Sequence, residues 1–161
     1  MSECCEVKQP TDPAVMTCPV SGRRAKQVNL LTVRSLVRQL PLAMPPTAYY
    51  FCDDPACEIV YFPSHPQAPL FRRADLWVRV GVKEKSDPIP VCYCFGFARH
   101  DIWEEIRQTG TSTIADRITA EVKAGTCACE VKNPSGKCCL GTVRRTALDA
   151  SKLLQAAPLA R

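Results

Sequence analysis

Histidine is nearly absent from this chain of 161 residues; only His65 and His100 occur. No His-Glu-x-x-His pair is present, so a histidine-based zinc hydrolase is not expected. The seven glycines form no G-x-G-x-x-G or G-x-x-x-x-G-K-[ST] phosphate loop. No stretch approaches the ~20 apolar residues that cross a bilayer, so membrane insertion is not expected. The opening Met1-Ser2-Glu3-Cys4-Cys5-Glu6-Val7-Lys8 lacks the apolar segment of a secretory signal. A soluble, cytoplasmic protein is the expectation. A net charge of +5 falls short of a dense basic surface, and no nucleic-acid partner is expected. No nucleophile–base set stands outside the cysteines, which argues against an enzyme with its own organic substrate.

Cysteine and proline are unusually frequent, with 11 and 14 copies. An odd number of cysteines cannot form a fully paired disulfide framework. In a reducing cytoplasm, clustered thiols are metal ligands more often than disulfides. The many prolines break the chain into short elements.

Residues 14–90 read as a β-rich module. Val28–Val33 and Leu76–Val80 are candidate strands, and Ser35–Leu40 a short helix ending before Pro41. Tyr49–Cys52 and Glu58–Phe62 are aromatic and β-branched, with the turn Asp53-Asp54-Pro55-Ala56 between them. That pattern predicts a hairpin with a cysteine at each end of its turn. The stretch 83–90 reads as an exposed loop.

Residues 91–161 read as a helical module. Ile102, Trp103 and Ile106 mark one helix. Thr113, with Asp116 three residues on, resembles a capping-box start for a second, and Gly125 is a plausible stop. Residues 140–157 give a third, ended by Pro158. The fold class is thus α+β: an N-terminal β-rich, zinc-ribbon-like module followed by a helical module.

Cys18, Cys52 and Cys57 sit in turns whose backbone N–H groups suit thiolate ligands of tetrahedral Zn²⁺. A ribbon would have cysteine at position 21, where this chain has Ser21. A hydroxyl is a poor zinc ligand at neutral pH, so Cys5 or Cys4, Asp53, His65 or water are the candidates for the fourth position. A second constellation runs from Cys92 and Cys94 to Cys127, Cys129, Cys138 and Cys139. Two cysteines one residue apart cannot close an unstrained disulfide, but both can bind a metal. Four thiolates are the usual holder of a [2Fe–2S] cluster; zinc and copper(I) are the competing readings. Cys92 and Cys94 supply the first pair of ligands in this reading. Cys129 and Cys139 complete the set, as the pair nearest the ends of the Asn-Pro-Ser-Gly turn region that could still reach one metal, with Cys127 and Cys138 as alternates.

Cys92-Tyr93-Cys94-Phe95-Gly96-Phe97, Cys127-Ala128-Cys129 and the string Asn133-Pro134-Ser135-Gly136-Lys137-Cys138-Cys139-Leu140-Gly141 resemble the amino-terminal domain of CopZ-type copper chaperones. The likeness covers about residues 14–145. It implies a zinc-binding β module followed by a [2Fe–2S] module similar to bacterioferritin-associated ferredoxin. It also implies a one-electron carrier in copper homeostasis, with reduction of Cu(II) to Cu(I) as its task. A redox partner and a copper transporter or chaperone are the implied partners. A non-redox thiolate chaperone binding Cu⁺, or a structural adaptor, are the alternatives. The heavy-metal-associated domain of the family, with its Met-x-Cys-x-x-Cys loop, does not occur in these residues.

Overall fold

The computed structural model describes residues 12–157. Five short antiparallel strands form one sheet in sequence order. They are β1 (Val15–Thr17), β2 (Arg24–Val28), β3 (Tyr49–Phe51), β4 (Ile59–Pro63) and β5 (Phe71–Arg72). The predicted hairpin is present, with Tyr50 opposite Phe62 and Phe51 opposite Tyr61. Both of its strands are rich in residues that pack well on a pleated surface.

Successive side chains point to opposite faces of a strand, and this divides the aromatics. Tyr49, Tyr61 and Phe71 pack with Val33, Leu36 and Leu76 on one face. Tyr50 and Phe62 pack with Cys18, Cys52 and Cys57 on the other. Tyr49 stacks on Phe71 at 5.7 Å and Tyr50 on Phe62 at 5.4 Å. Burying such side chains stabilises by about 1.5–3 kcal/mol each, so the hairpin anchors two small cores at once.

Two expected strands are corrected. The apolar run at Val28–Val33 is divided: Val28 ends β2, and Leu30 opens helix α1 (Leu30–Leu36). Asn29 caps that helix, its side chain accepting from the Leu31 amide at 2.8 Å. The helix therefore starts before, and ends earlier than, the one expected at Ser35–Leu40. The Leu76–Val80 stretch does bury Leu76 and Val80 and expose Trp77. It makes only an isolated bridge, from Leu76 to Val37, because no strand lies beside it.

The second module opens with a two-stranded hairpin, β6 (Pro90–Cys92) and β7 (Phe97–Ala98). Helices α2 (Arg99–Thr109), α3 (Ile114–Lys123), α4 (Cys129–Lys132) and α5 (Leu140–Ala156) follow. Asp101 accepts from the Ala98 amide to start α2, and Gly110 ends it at a φ of 83°. The capping box expected at Thr113 is not made; the Thr113 hydroxyl donates to Glu105 instead. Pro158 lies outside the described residues. Ile102, Ile106, Ile114, Ile118 and Val143 form the core, and Cys92, Cys129 and Cys139 are embedded in it.

The modules are packed together. Thr32 of α1 donates to the Glu130 carbonyl at 2.6 Å, and Asn29 donates to the Glu130 carboxylate at 3.0 Å. Gly136 passes so close to α1 that a Cβ there would meet the Thr32 hydroxyl at 2.9 Å. Its φ of 67° also favours glycine.

Candidate metal centres

Cys18 follows β1, and the chain turns back through Gly22, whose amide donates to the Cys18 carbonyl at 3.0 Å. Cys52 ends the β3 arm, and its amide donates to the Val60 carbonyl at 2.9 Å. Cys57 lies across the hairpin turn, which Asp54 shapes by accepting from the Ala56 amide at 2.9 Å. All three thiols are buried, with their sulfurs within 4.8 Å of one another. Ser21 Oγ stands 3.5 Å from Cys52 Sγ, and the Cys18 and Cys57 sulfurs are 4.0 Å apart.

Burial raises the Cys18 thiol, but hydrogen bonds from Ser21 and from the Val20 backbone outweigh it and leave the thiol more acidic than usual. Burial dominates at Cys52 and raises it. Three buried thiols without a disulfide are a soft, converging donor set that suits Zn²⁺.

Of the fourth-ligand candidates, Asp53 is paired with Arg23 at 3.0 Å and His65 is exposed. Cys4 and Cys5 lie outside the described residues.

In the second module the β6–β7 hairpin carries Cys92 and Cys94. Cys94 Sγ lies 3.3 Å from Cys129 Sγ, at the start of α4. Cys139 Sγ donates to Cys92 Sγ at 3.0 Å, from the N-cap of α5. The Ala128 amide points at Cys94 Sγ, 3.2 Å away. Cys127 joins Cys94 and Cys129 in a trio whose sulfurs lie within 4.8 Å of one another. Cys138 is exposed.

Crowding of thiols separates their acidities. The hydrogen bond from Cys139 lowers Cys92 to about 6, while the same bond keeps the proton on Cys139 and raises it far above a free thiol. Burial is the main cause that pushes Cys129 up to about 12. A metal bound here displaces those retained protons. Four buried or half-buried sulfurs, an N–H···S bond and a helix N-terminus suit an anionic thiolate cluster such as [2Fe–2S].

Sequence reasoning overlooked the residues that hold these loops. Asn133 is buried and donates to the Lys137 carbonyl at 2.8 Å, while its own oxygen accepts from Ser135. Tyr61 grips the same loop from the β module, and Thr32 the helix α4 that leads into it. Lys83 is 1% exposed beside the first centre. The Asn-Pro-Ser-Gly turn signalled Asn133; nothing local signals the other three.

A small β-sheet module with three converging thiols, joined to a helical module with thiols in its core, defines a cysteine-based metal-binding protein. Residues 15–76 match the CopZ zinc-binding family, described as a zinc binding domain. The copper chaperone CopZ of Archaeoglobus fulgidus is 35% identical over 125 residues, which is 78% of this chain and 58% of that protein. The chain thus spans somewhat over half the length of that curated relative. The X-ray structure of the N-terminal domain of the same CopZ is 36% identical, with a TM-score of 0.66. That match covers 81% of this chain and 96% of the solved domain. The chain belongs to the CopZ N-terminal domain family. Among the described residues no helix is long and apolar enough to cross a membrane.

Proposed function

We propose that this chain is a zinc- and [2Fe–2S]-binding protein of copper homeostasis that carries one electron at a time. In this reading Cys18, Cys52 and Cys57 hold Zn²⁺. Cys92, Cys94, Cys129 and Cys139 hold the cluster. The β-rich module spans 14–90 and the cluster module 91–161.

The observation that carries the reading is the paired arrangement of the second constellation. Cys94 with Cys129, and Cys92 with Cys139, put four sulfurs into one apolar core at pair distances of 3.3 and 3.0 Å. Four thiolates satisfy a two-iron cluster without any histidine, in a chain that has almost none. Copper as the metal handled rests on kinship with a protein named a copper chaperone. When bound, the cluster would supply a reversible one-electron couple, which would serve to reduce copper(II) as substrate to copper(I).

The chain's own residues set that couple. The Ala128 amide and the start of α5 place positive dipole ends at the thiolates, which stabilises the more negative, reduced state. The apolar core excludes water from Cys92 and Cys139. The partners in this reading are a cytoplasmic electron donor and a copper transporter or chaperone that receives Cu⁺.

Metal and acid-labile sulfide analysis of protein purified without oxygen tests the reading, with absorption spectra before and after dithionite. About two irons and two sulfides per chain, bleached on reduction, are expected, with about one zinc. Zinc without sulfide overturns the electron-transfer role.

The second reading is a non-redox thiolate chaperone for Cu⁺. Exposed Cys138 favours it, at the edge of a cleft of about 390 Å³ between the modules that Tyr93 and Arg99 also line. A cluster that forms but does not respond to reductant leaves a structural adaptor.

A further inference from the structure

Lys83 is a buried cation whose ammonium is held by backbone carbonyls. It ends the short 3₁₀ turn Gly81–Lys83 and is 1% exposed. Its Nζ donates to the Asp54 carbonyl at 2.8 Å and to the Cys57 carbonyl at 3.0 Å. Among the described residues no carboxylate lies within ion-pair distance of it. The neighbouring Glu84 is already engaged by Arg73 and Arg79, at 3.0 and 2.7 Å. Burying an ammonium without a counter-charge is strongly unfavourable. The turn that Lys83 grips carries Cys52 and Cys57, two of the three converging thiols.

Zn²⁺ with three thiolates bears one net negative charge, which a single lysine cancels. A fourth thiolate or a carboxylate would leave one negative charge uncompensated. A free hydroxyl binds zinc poorly at neutral pH, but the fold holds Ser21 3.5 Å from Cys52 Sγ, at the motif position where a ribbon has cysteine; held there, it is a preorganised neutral fourth donor and replaces the candidates expected from the sequence. Its placement also fits. A tetrahedron with Zn–S near ~2.3 Å and Zn–O near ~2.0 Å has S···S edges of roughly 3.8 Å and S···O edges of roughly 3.5 Å. The corresponding separations are 4.0 Å between Cys18 and Cys57 and 3.5 Å between Ser21 and Cys52.

We propose that Lys83 is the counter-charge of a three-thiolate zinc site whose fourth corner is the neutral Ser21 hydroxyl, with Cys4 and Cys5 left out of it. This rests on the reading of Cys18, Cys52 and Cys57 as zinc ligands. Lys83 acts through the turn and is a positioning residue, whereas Ser21 touches the metal.

Zinc-edge X-ray absorption of the full chain carrying one zinc tests it. Three sulfurs and one oxygen are expected in the parent protein and in the Cys4→Ser/Cys5→Ser double variant. Ser21→Cys is expected to give four sulfurs. Lys83→Met is expected to weaken zinc in chelator competition by about 10- to 100-fold, as loss of an outer-shell partner does, and Lys83→Arg to recover part of that. Four sulfurs in the parent, falling to three in the double variant, overturn the proposal while leaving the zinc reading intact. An unchanged zinc affinity in Lys83→Met overturns the role of Lys83. A chain that takes up no zinc at these cysteines refutes the underlying reading instead. The parent and double-variant spectra decide the donor set even where Lys83→Met does not fold.

Discussion

The Tyr61 hydroxyl, fully buried in the β module, donates to the Pro134 carbonyl of the Asn-Pro-Ser-Gly loop at 2.7 Å. The bond joins residues 73 positions apart and ties the sheet to the segment between Cys129 and Cys139. Burial pushes the Tyr61 phenol well above its ordinary range, so it is a donor at neutral pH. Tyr61→Phe keeps the ring and orphans the carbonyl, so a loss of about 1–3 kcal/mol is expected in urea unfolding. Iron release to a chelator is expected to quicken, with zinc content unchanged.

Cys127 sits within reach of both Cys94 and Cys129, whereas Cys138, the neighbour of Cys139, is exposed. The two ends of the thiol set therefore differ in reserve. Cys129→Ser is expected to keep an all-thiolate cluster through Cys127, with an absorption spectrum close to the parent's. Cys139→Ser is expected to lose cluster or to gain an oxygen ligand, visible as a spectral shift. Equal spectra from the two variants would refute this asymmetry.

Zinc removal is expected to act first on the N-terminal sheet. Cys18, Cys52 and Cys57 lie in the same small core as Tyr50, Ile59 and Phe62, and a core of that size leans on its metal. A tight chelator should lower the thermal midpoint and expose amides of β3 and β4 to hydrogen exchange before those of α2 and α5. Uniform exchange across both modules would contradict it.

Glu84 is the pH-sensitive brace of the chain between the modules. Burial raises its carboxyl, but hydrogen bonds and charge from Arg79 and Arg73 outweigh that and hold it below the usual range. A carboxyl with a depressed folded value contributes stability that is present above its unfolded value, near about 4.3, and lost as pH falls through the lower folded value. The arginines are one-third or more exposed, which weakens the pair by screening. Glu84→Gln is expected to cost about 1–3 kcal/mol at pH 7. The difference should close below the folded value.

Much of the architecture was legible because the local signals agreed with one another. The Tyr49–Cys52 and Glu58–Phe62 runs, with a turn rich in Asp and Pro between them, specify a hairpin without outside help. The stripe of Ile102 and Ile106 specifies one helix, and Gly125 ends another. Where the reading failed, the competing signal was short. Asn29 capped a helix inside an apolar run that also suits a strand, and a run of that length cannot separate the two periods. Leu76–Val80 has strand alternation but no neighbour to pair with, and pairing is not a local property.

The sequence alone determined which atoms could bind metal: soft thiolates in two groups, almost no imidazole, and the CopZ-like string ending at Gly141. Residue type and spacing carry that information, because ligand chemistry belongs to the side chain. Only the tertiary structure decided which thiols face one another, that Cys127 stands beside Cys94 and Cys129, that Cys138 faces solvent, and that Tyr61 and Lys83 brace the two centres. The contacts of Lys83 with Cys57, Cys94 with Cys129, Cys92 with Cys139 and Tyr61 with Pro134 join residues 26 to 73 positions apart, and only packing against a shared core brings such distant residues within hydrogen-bond reach.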